Sequence, residues 1–448
     1  MAGRFSRKKR TGGTSWLLGL VLMLLLVGAI VLGASWVLRA AKSVGAQDAQ
    51  KEPETAQQAA PEAPAAQQSV PAAPEITQAD SAPEQTQALP AEQEPEPARV
   101  RLMALGDNLI HNTVYWSAEL PGGGYDFTPF YAAIAPVVQS YDLACINQET
   151  ILVSDPALYA NYPSFGSPVQ VADALAQTGF SVITGATNHC FDKGETGILD
   201  TCRYWREHYP EITTLGIHDS QEDAQTLRVV EKNGIRIAML NYTYGLNGGA
   251  PGNAWMVDRF VTFDAVQDDL TRAKEASDFV IVFAHWGEEG TFRPNDYERT
   301  WAQVLADGGA DLIIGGHPHV VQPARVLMAE DGREVPVFYS LGNFLSHQTS
   351  PENMLGGMAS VTLVKDADGT HVSEYDLQPT VNVILRNANT GWYTYRPMLL
   401  DSYNSDLAAQ NRFSECTVDA MWALYEDITK RKMYITGGIG STCVGETF

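Results

Sequence analysis

Basic residues are scarce in this chain. Lysine and arginine total 30 against 53 aspartates and glutamates in 448 residues, a formal charge of -23. Such a balance cannot neutralise phosphates in bulk, so nucleic acid is excluded as a partner. Acidity of this size supports solubility. Cysteine is scarce too: Cys145, Cys190, Cys202, Cys416 and Cys443 form no CxxC pair and no zinc-finger spacing. Their odd number and scatter exclude a disulfide framework and leave free, partly buried thiols as the reading. No internal repeat marks the chain. Hydrophobic residues make up 45% of it, enough for a sizeable core, and the length allows two or more domains.

The first forty residues address the compartment. Arg4, Arg7, Lys8, Lys9 and Arg10 form a basic tail within residues 1–15, and an unbroken apolar run covers residues 16–38. That run exceeds the roughly 20 residues needed to cross a bilayer as a helix. It is also longer than the apolar core of a cleavable signal peptide, about 7–15 residues. The basic flank stays cytoplasmic by the positive-inside rule. The reading is a single-pass signal anchor over residues 16–39 in the cell membrane, with everything after it extracytoplasmic; the alternative is cleavage near residues 43–47. Residues 40–98 are rich in Ala, Pro, Glu and Gln and hold too few apolar side chains to fold. They read as a disordered linker that holds the following domain on the order of 40 Å from the membrane. Reach through a cell wall and a plain spacer are equally compatible with it.

From Arg99 the pattern changes. Short apolar runs at 100–105, 143–146, 180–184, 235–241, 279–284, 312–314 and 337–339 alternate with helical segments at 169–177, 195–209 and 296–306. Gly308 and Gly309 supply a C-cap for the last helix. Alternation of this kind predicts an α/β layered domain over residues 99–405.

Five of the apolar runs end in metal-competent residues: LGDNLIH (105–111), INQE (146–149), ATNHCFDKG (186–194), FAHWGEE (283–289) and GGHPHVVQP (315–323). Ligands gather at the carboxyl ends of strands in α/β sheets. In extended backbone, residues two apart point to one side, so His317 and His319 are expected to face one site across Pro318. Neutral imidazole is the commonest metal ligand, and His285 ends a third strand. Asp107 reads either as a metal ligand or as a helix N-cap. Glu149 reads either as a bridge between two cations about 3.5–4 Å apart or as a surface charge. Asn188 offers a carbonyl oxygen to a metal, with His189 beside it as an acid. Asp192 either orients that imidazole or caps the next helix. Glu288 and Glu289 are candidate partners for a metal-bound His285. Gln322 and Asn343 either contact substrate or bond within turns. Trp286 reads as packing.

These residues, with YDFTPF (125–130), DLACINQE (142–149), FGSPVQVADAL (165–175), ADLIIGGHPHVVQP (310–323) and VFYSLGNF (337–344), resemble the CapA family of bacterial capsule-synthesis proteins of the poly-gamma-glutamate type. The fold of that family is similar to calcineurin-like metallophosphoesterases, which implies a four-layer α/β/β/α sandwich around a site for two divalent ions, Mn, Zn or Fe. The resemblance implies Asp107 and His319 at the first metal, Asn188, His285 and His317 at the second, Glu149 between them, and His189 as the acid. It also implies a metal-dependent hydrolase of the phosphoesterase type. The expected partners are an anionic or peptide-like envelope polymer and capsule synthase subunits, and the alternative is a non-catalytic assembly or export subunit. Two departures stand out. The general phosphoesterase pattern has a His two residues after its first Asp, where this chain has Leu109, with His111 as a substitute or a substrate contact. The bridging residue there is usually Asp, not Glu. A third reading treats the histidines as structural and the domain as metal-free.

Residues 406–448 read as a separate tail. Val418, Met421, Trp422, Tyr425 and Ile428 fall on one helical face. The last 36 residues or so resemble a fragment of bacterial β-L-arabinofuranosidases, either as a non-functional fused piece or by chance.

Overall fold

The short apolar runs become strands of two mixed sheets in the computed structural model, which describes residues 97–388 and 391–430. In chain order the strands are β1 (Ala98–Asn108), β2 (Leu143–Gln148), β3 (Leu152–Val153), β4 (Ser167–Pro168), β5 (Val182–Thr184), β6 (Thr213–Leu215), β7 (Arg228–Lys232) and β8 (Ile235–Thr243). They continue with β9 (Phe279–His285), β10 (Leu312–Gly316), β11 (Ala324–Met328), β12 (Glu334–Phe338), β13 (Asn343–Leu345), β14 (Leu355–Asp366), β15 (Gly369–Arg386) and β16 (Tyr393–Leu399). One sheet runs β16-β15-β14-β1-β2-β5-β6, with β13 also on β1; the other runs β11-β12-β10-β9-β8-β7. In the first, β1, β2, β5 and β6 are parallel and β14, β15 and β16 extend the other half antiparallel; in the second, β8, β9, β10 and β12 are parallel with an antiparallel strand at each edge.

Two-residue alternation explains why the sheets face each other. Along β8 and β9, Ile235, Ile237, Met239, Phe279, Ile281 and Phe283 enter the core shared with the first sheet. The intervening Ala238, Val280, Val282 and Ala284 enter a second core with Val266, Leu270, Trp301 and Leu305. Those last four belong to the helices Phe263–Ala276 and Asp296–Gly308, which therefore cover the outer face of this sheet. The second helix begins with a capping box between Asn295 and Glu298 and ends on left-handed Gly309, so both ends satisfy backbone groups that a helix leaves unpaired. Over the first sheet, Phe130, Tyr131, Val171 and Leu175 pack from the helices Thr128–Tyr131 and Gln170–Thr178.

Parallel registry brings the functional strand ends level. Asp107, Asn147 and Thr184 are aligned across β1, β2 and β5, as are Thr243, His285 and Gly316 across β8, β9 and β10. The registry of β1 with β2 shifts between Leu105 and Asp107. A Cβ on Gly106 at that irregularity would lie 1.9 Å from the Gly342 carbonyl oxygen, so only glycine lets the two backbones approach.

The boundary expected after residue 405 does not divide the packing. The described residues fall in one compact unit, and the helix Val418–Lys430 buries Met421 and Ile428 in the main core. Tyr425 donates its hydroxyl hydrogen to the Leu377 carbonyl, and Tyr403 donates to the Cys416 carbonyl at 2.7 Å. The helical stripe read at 418–428 is thus a core contact of the domain. Cys145, Cys190, Cys202 and Cys416 are free. The expected anchor, the linker up to residue 96, Cys443 and the segment 431–448 lie outside the described residues. Among the described residues, no helix is long and apolar enough to cross a membrane.

Candidate metal centre

Five strand ends converge on one buried cluster. Glu149 follows β2 and is 0% exposed, yet neither carboxylate oxygen has a hydrogen-bond partner among the described residues. The surface-charge alternative is thereby removed. Its Oε1 faces His319 Nε2 at 3.6 Å and His285 Nε2 at 3.8 Å. Burial pushes this carboxyl well above the usual carboxylate range. The ligand atoms of Glu149, His317 and His319 all lie within 4.8 Å of one another.

His317 and His319 converge by a route the sequence did not show. Neither is extended: their φ angles are +96° and +59°. Left-handed backbone at non-glycine residues is strained by about 1–3 kcal/mol and persists only where surroundings enforce it. Here Gly290 N–H donates to the Pro318 carbonyl at 2.8 Å, and Asn353 Nδ2 donates to the His319 carbonyl at 2.9 Å. The expected alternation is therefore corrected to a tight turn that aims both rings at Glu149.

Asp107 is fully buried within β1, and the helix that follows is capped at His111 without a side-chain bond, so the N-cap alternative fails. Its Oδ2 accepts from His319 Nδ1 at 3.0 Å, and its Oδ1 accepts from Asn147 Nδ2 at 2.8 Å. Asp107 thus stands behind His319 and leaves Nε2 of that ring toward Glu149, as a carboxylate orients a metal-binding imidazole. Burial opposes charge on His319, but Glu149 and Asp107 draw its pKa up to about 9. Burial and the neighbouring imidazoles do the opposite at His317, down to about 3, and hold His285 well below the usual range.

His285 joins the cluster from β9. Its Nε2 lies 2.9 Å from Asn188 Oδ1, and its Nδ1 lies 3.4 Å from Asn147 Nδ2. Asn188 follows β5 in a turn held by Thr187, whose hydroxyl donates to the Glu149 carbonyl at 2.7 Å. His189 Nδ1 donates to Asp192 Oδ2 at 2.7 Å, and the same oxygen accepts from Phe165 N–H at 2.7 Å. The next helix is capped at Lys193 without a side-chain bond, so Asp192 orients the imidazole and does not cap.

Four other candidates stand apart. His111 is half-buried beside Phe165, with Nδ1 3.1 Å from both the Leu109 carbonyl and the His347 amide; burial lowers its pKa to about 3. It does not join the ligand trio, and Leu109 is buried apolar core. Glu288 is exposed, and Asn188 and Asn147 face the His285 nitrogens where Glu288 was expected. Gln322 and Asn343 are fully buried and donate to Thr291 O and Gln348 Oε1 at 2.8 and 2.7 Å. Trp286 is core, its indole donating to the Tyr339 carbonyl at 2.9 Å.

The sequence reading missed Asn147, although its place two residues before Glu149 in INQE was a signal. Its amide joins Asp107, His285 and Thr184 across the two sheets. It also missed Tyr244, just past β8, whose ring centroid lies 4.7 Å from that of His317.

The donor set fits a divalent cation. A buried carboxylate with no donor, and a buried His317 Nδ1 with no partner, are both orphaned unless a positive ion lies between them. Mixed imidazole and carboxylate ligation suits zinc, manganese or iron.

Comparison with known proteins agrees with the sequence motifs. Residues 101–348 match the family described as bacterial capsule synthesis protein PGA_cap. The chain is 27% identical over 279 residues to the capsule biosynthesis protein CapA of Bacillus anthracis, covering 59% of this chain and 64% of that protein. It is 31% identical over 202 residues to the PGA biosynthesis protein CapA of Bacillus subtilis (strain 168), covering 44% and 50%. The match thus spans less than two thirds of either relative. Among solved structures, the calcineurin-like phosphoesterase YfkN from Bacillus subtilis aligns with 14% identity and TM-score 0.38, over 63% of this chain and 90% of that one. The 5'-nucleotidase precursor from Thermus thermophilus aligns with 14% identity and TM-score 0.40, over 74% and 59%.

Proposed function

The chain belongs to the bacterial capsule synthesis PGA_cap family, and from that premise we propose that it is a membrane-anchored, extracytoplasmic protein of capsule or envelope polymer synthesis with a metallohydrolase-like site. The observation that carries the site reading is the orphaned Glu149 carboxylate among His285, His317 and His319. Glu149, His317 and His319 would hold one divalent ion; Asn188 and His285, sharing Glu149, would hold a second. A bound divalent ion supplies charge that polarises a phosphoryl or acyl oxygen and makes a coordinated water more acidic.

The protein's own groups do the rest. Asp107 fixes the ring of His319 and Asn147 fixes that of His285. His189, with its Nδ1 proton committed to Asp192, presents Nε2 to a departing oxygen as general acid. Phe165 packs edge-on at 4.7 Å from the His189 ring. An anionic or peptide-like envelope polymer is the proposed substrate class, with the capsule link resting on the family.

A second reading has a specific observation behind it. Leu109 fills with core the place of a first-site histidine, and Asp107 is engaged by His319 and Asn147. This favours a metal-stabilised assembly or export subunit without turnover. Elemental analysis of the purified protein separates the readings when combined with assays on phosphomonoesters, phosphodiesters and γ-glutamyl polymers, with and without His285→Ala. Metal that falls with His285→Ala, together with turnover, supports the hydrolase. Metal without turnover on any substrate supports the assembly reading. Fewer than one ion per chain, unchanged by the substitution, removes the site.

A further inference from the structure

The cluster is rich in acceptors and poor in donors. Both Glu149 oxygens and the Asn188 carbonyl oxygen face inward, and none of them can donate a hydrogen bond to an anionic oxygen. A substrate oxyanion needs a fixed donor at the mouth of such a site.

Tyr244 occupies that position. It directly follows β8, and its amide donates to the His285 carbonyl at 2.9 Å, which ties it to the end of β9. Three residues on, Asn247 N–H donates to the Asn188 carbonyl at 2.8 Å, so the segment is pinned at both ends to residues of the cluster. Its ring lies over His317 at 4.7 Å, yet the side chain remains 39% exposed, unlike every member of the cluster. Its hydroxyl contacts the Asn188 side chain, so the phenol sits at the rim of the cluster with its exposed side open to a ligand.

We infer that Tyr244 is a substrate-contacting residue whose phenol donates a hydrogen bond to an anionic oxygen, phosphoryl or carboxylate, held beside the metal cluster. This rests on the metallohydrolase-like reading above and adds its recognition group.

The full chain in detergent, loaded with Mn²⁺, is titrated calorimetrically with inorganic phosphate and separately with N-acetylglutamate. Wild type is compared with Tyr244→Phe, which keeps the ring over His317 and removes only the donor. Metal content is measured on the same samples. The expected result is unchanged metal content and binding of the preferred anion about tenfold weaker in Tyr244→Phe, the loss of one hydrogen bond to a charged group. Which anion is preferred separates phosphoryl from carboxylate recognition. Equal affinities in both proteins overturn the inference, as does metal lost in step with the anion, which makes Tyr244 a support of the metal site. Wild type that holds Mn²⁺ but neither anion also overturns it and leaves the metal site standing. Wild type that holds no Mn²⁺ removes the metal site itself and the inference with it.

Discussion

Replacing Glu149 by glutamine probes the centre most directly, because its effect reverses sign with the metal. Without an added cation, Glu149 is a fully buried carboxyl whose two oxygens lack hydrogen bonds, with its nearest imidazole nitrogens 3.6 and 3.8 Å away. An unsatisfied buried polar group costs about 1–3 kcal/mol, and more when charged. Glutamine keeps the volume and removes the ionisable group. In chelator, Glu149→Gln is therefore expected to match or exceed the wild type in stability, by up to about 2 kcal/mol. With metal at a hundred times its dissociation constant, the wild type gains about 2.7 kcal/mol that the variant largely forgoes. Differential scanning calorimetry of both proteins, in EDTA and in Mn²⁺ or Zn²⁺, reads the two effects. The order of melting temperatures should invert between the two conditions. A variant less stable than the wild type by more than about 1 kcal/mol in EDTA refutes the reasoning, since the carboxylate would then have a protein partner that stabilises it.

Three further outcomes are expected. His218 is buried between Asp223 and Asp258, at 3.2 and 3.0 Å; burial opposes its charge, but the two carboxylates raise its pKa to about 9. A folded pKa above the unfolded value of about 6.5 gives stability that is complete below 6.5 and lost as pH rises through about 9. Denaturant unfolding at pH 6 and 9.5 should show wild type losing on the order of 2–3 kcal/mol more than His218→Gln; parallel losses would disprove the coupling. Asp192→Asn should leave metal content unchanged and lower turnover at least tenfold, because His189 loses the carboxylate charge that stabilises its protonated ring; metal loss would show that Asp192 supports the ligands instead. Ile428→Ala should cost about 2–5 kcal/mol, as a fully buried aliphatic does. A cost below about 0.5 kcal/mol would return the helix Val418–Lys430 to the status of an appended tail.

Much of this architecture was legible because it depends on short-range pattern. The runs at 235–241 and 279–284 alternate in two senses at once, one set of side chains for the facing sheet and one for the helices, which is why they read as continuous apolar strands. The helix Asp296–Gly308 carries its own start and stop in Asn295, Glu298 and Gly309. What stayed hidden depends on partners distant in sequence. Nothing near Tyr425 announces that the carbonyl of Leu377 on β15, 48 residues earlier, will accept its hydroxyl hydrogen. Nothing in INQE shows that Asn147 will touch His285, 138 residues away.

The two histidines of HPH mark the same limit inside the site. Their chemistry was readable, and their convergence was expected from an extended backbone, yet both lie in the left-handed region. A strand would have placed both rings on one side at the spacing of alternate residues. The turn instead brings the ligand atoms of His317 and His319 within 4.8 Å of each other and of Glu149. That geometry is held from outside, by Gly290 on Pro318, Asn353 on His319 and Asp107 at His319 Nδ1. The strain belongs to the protein fold, not to the two histidines. It persists because residues from at least three other segments close around it.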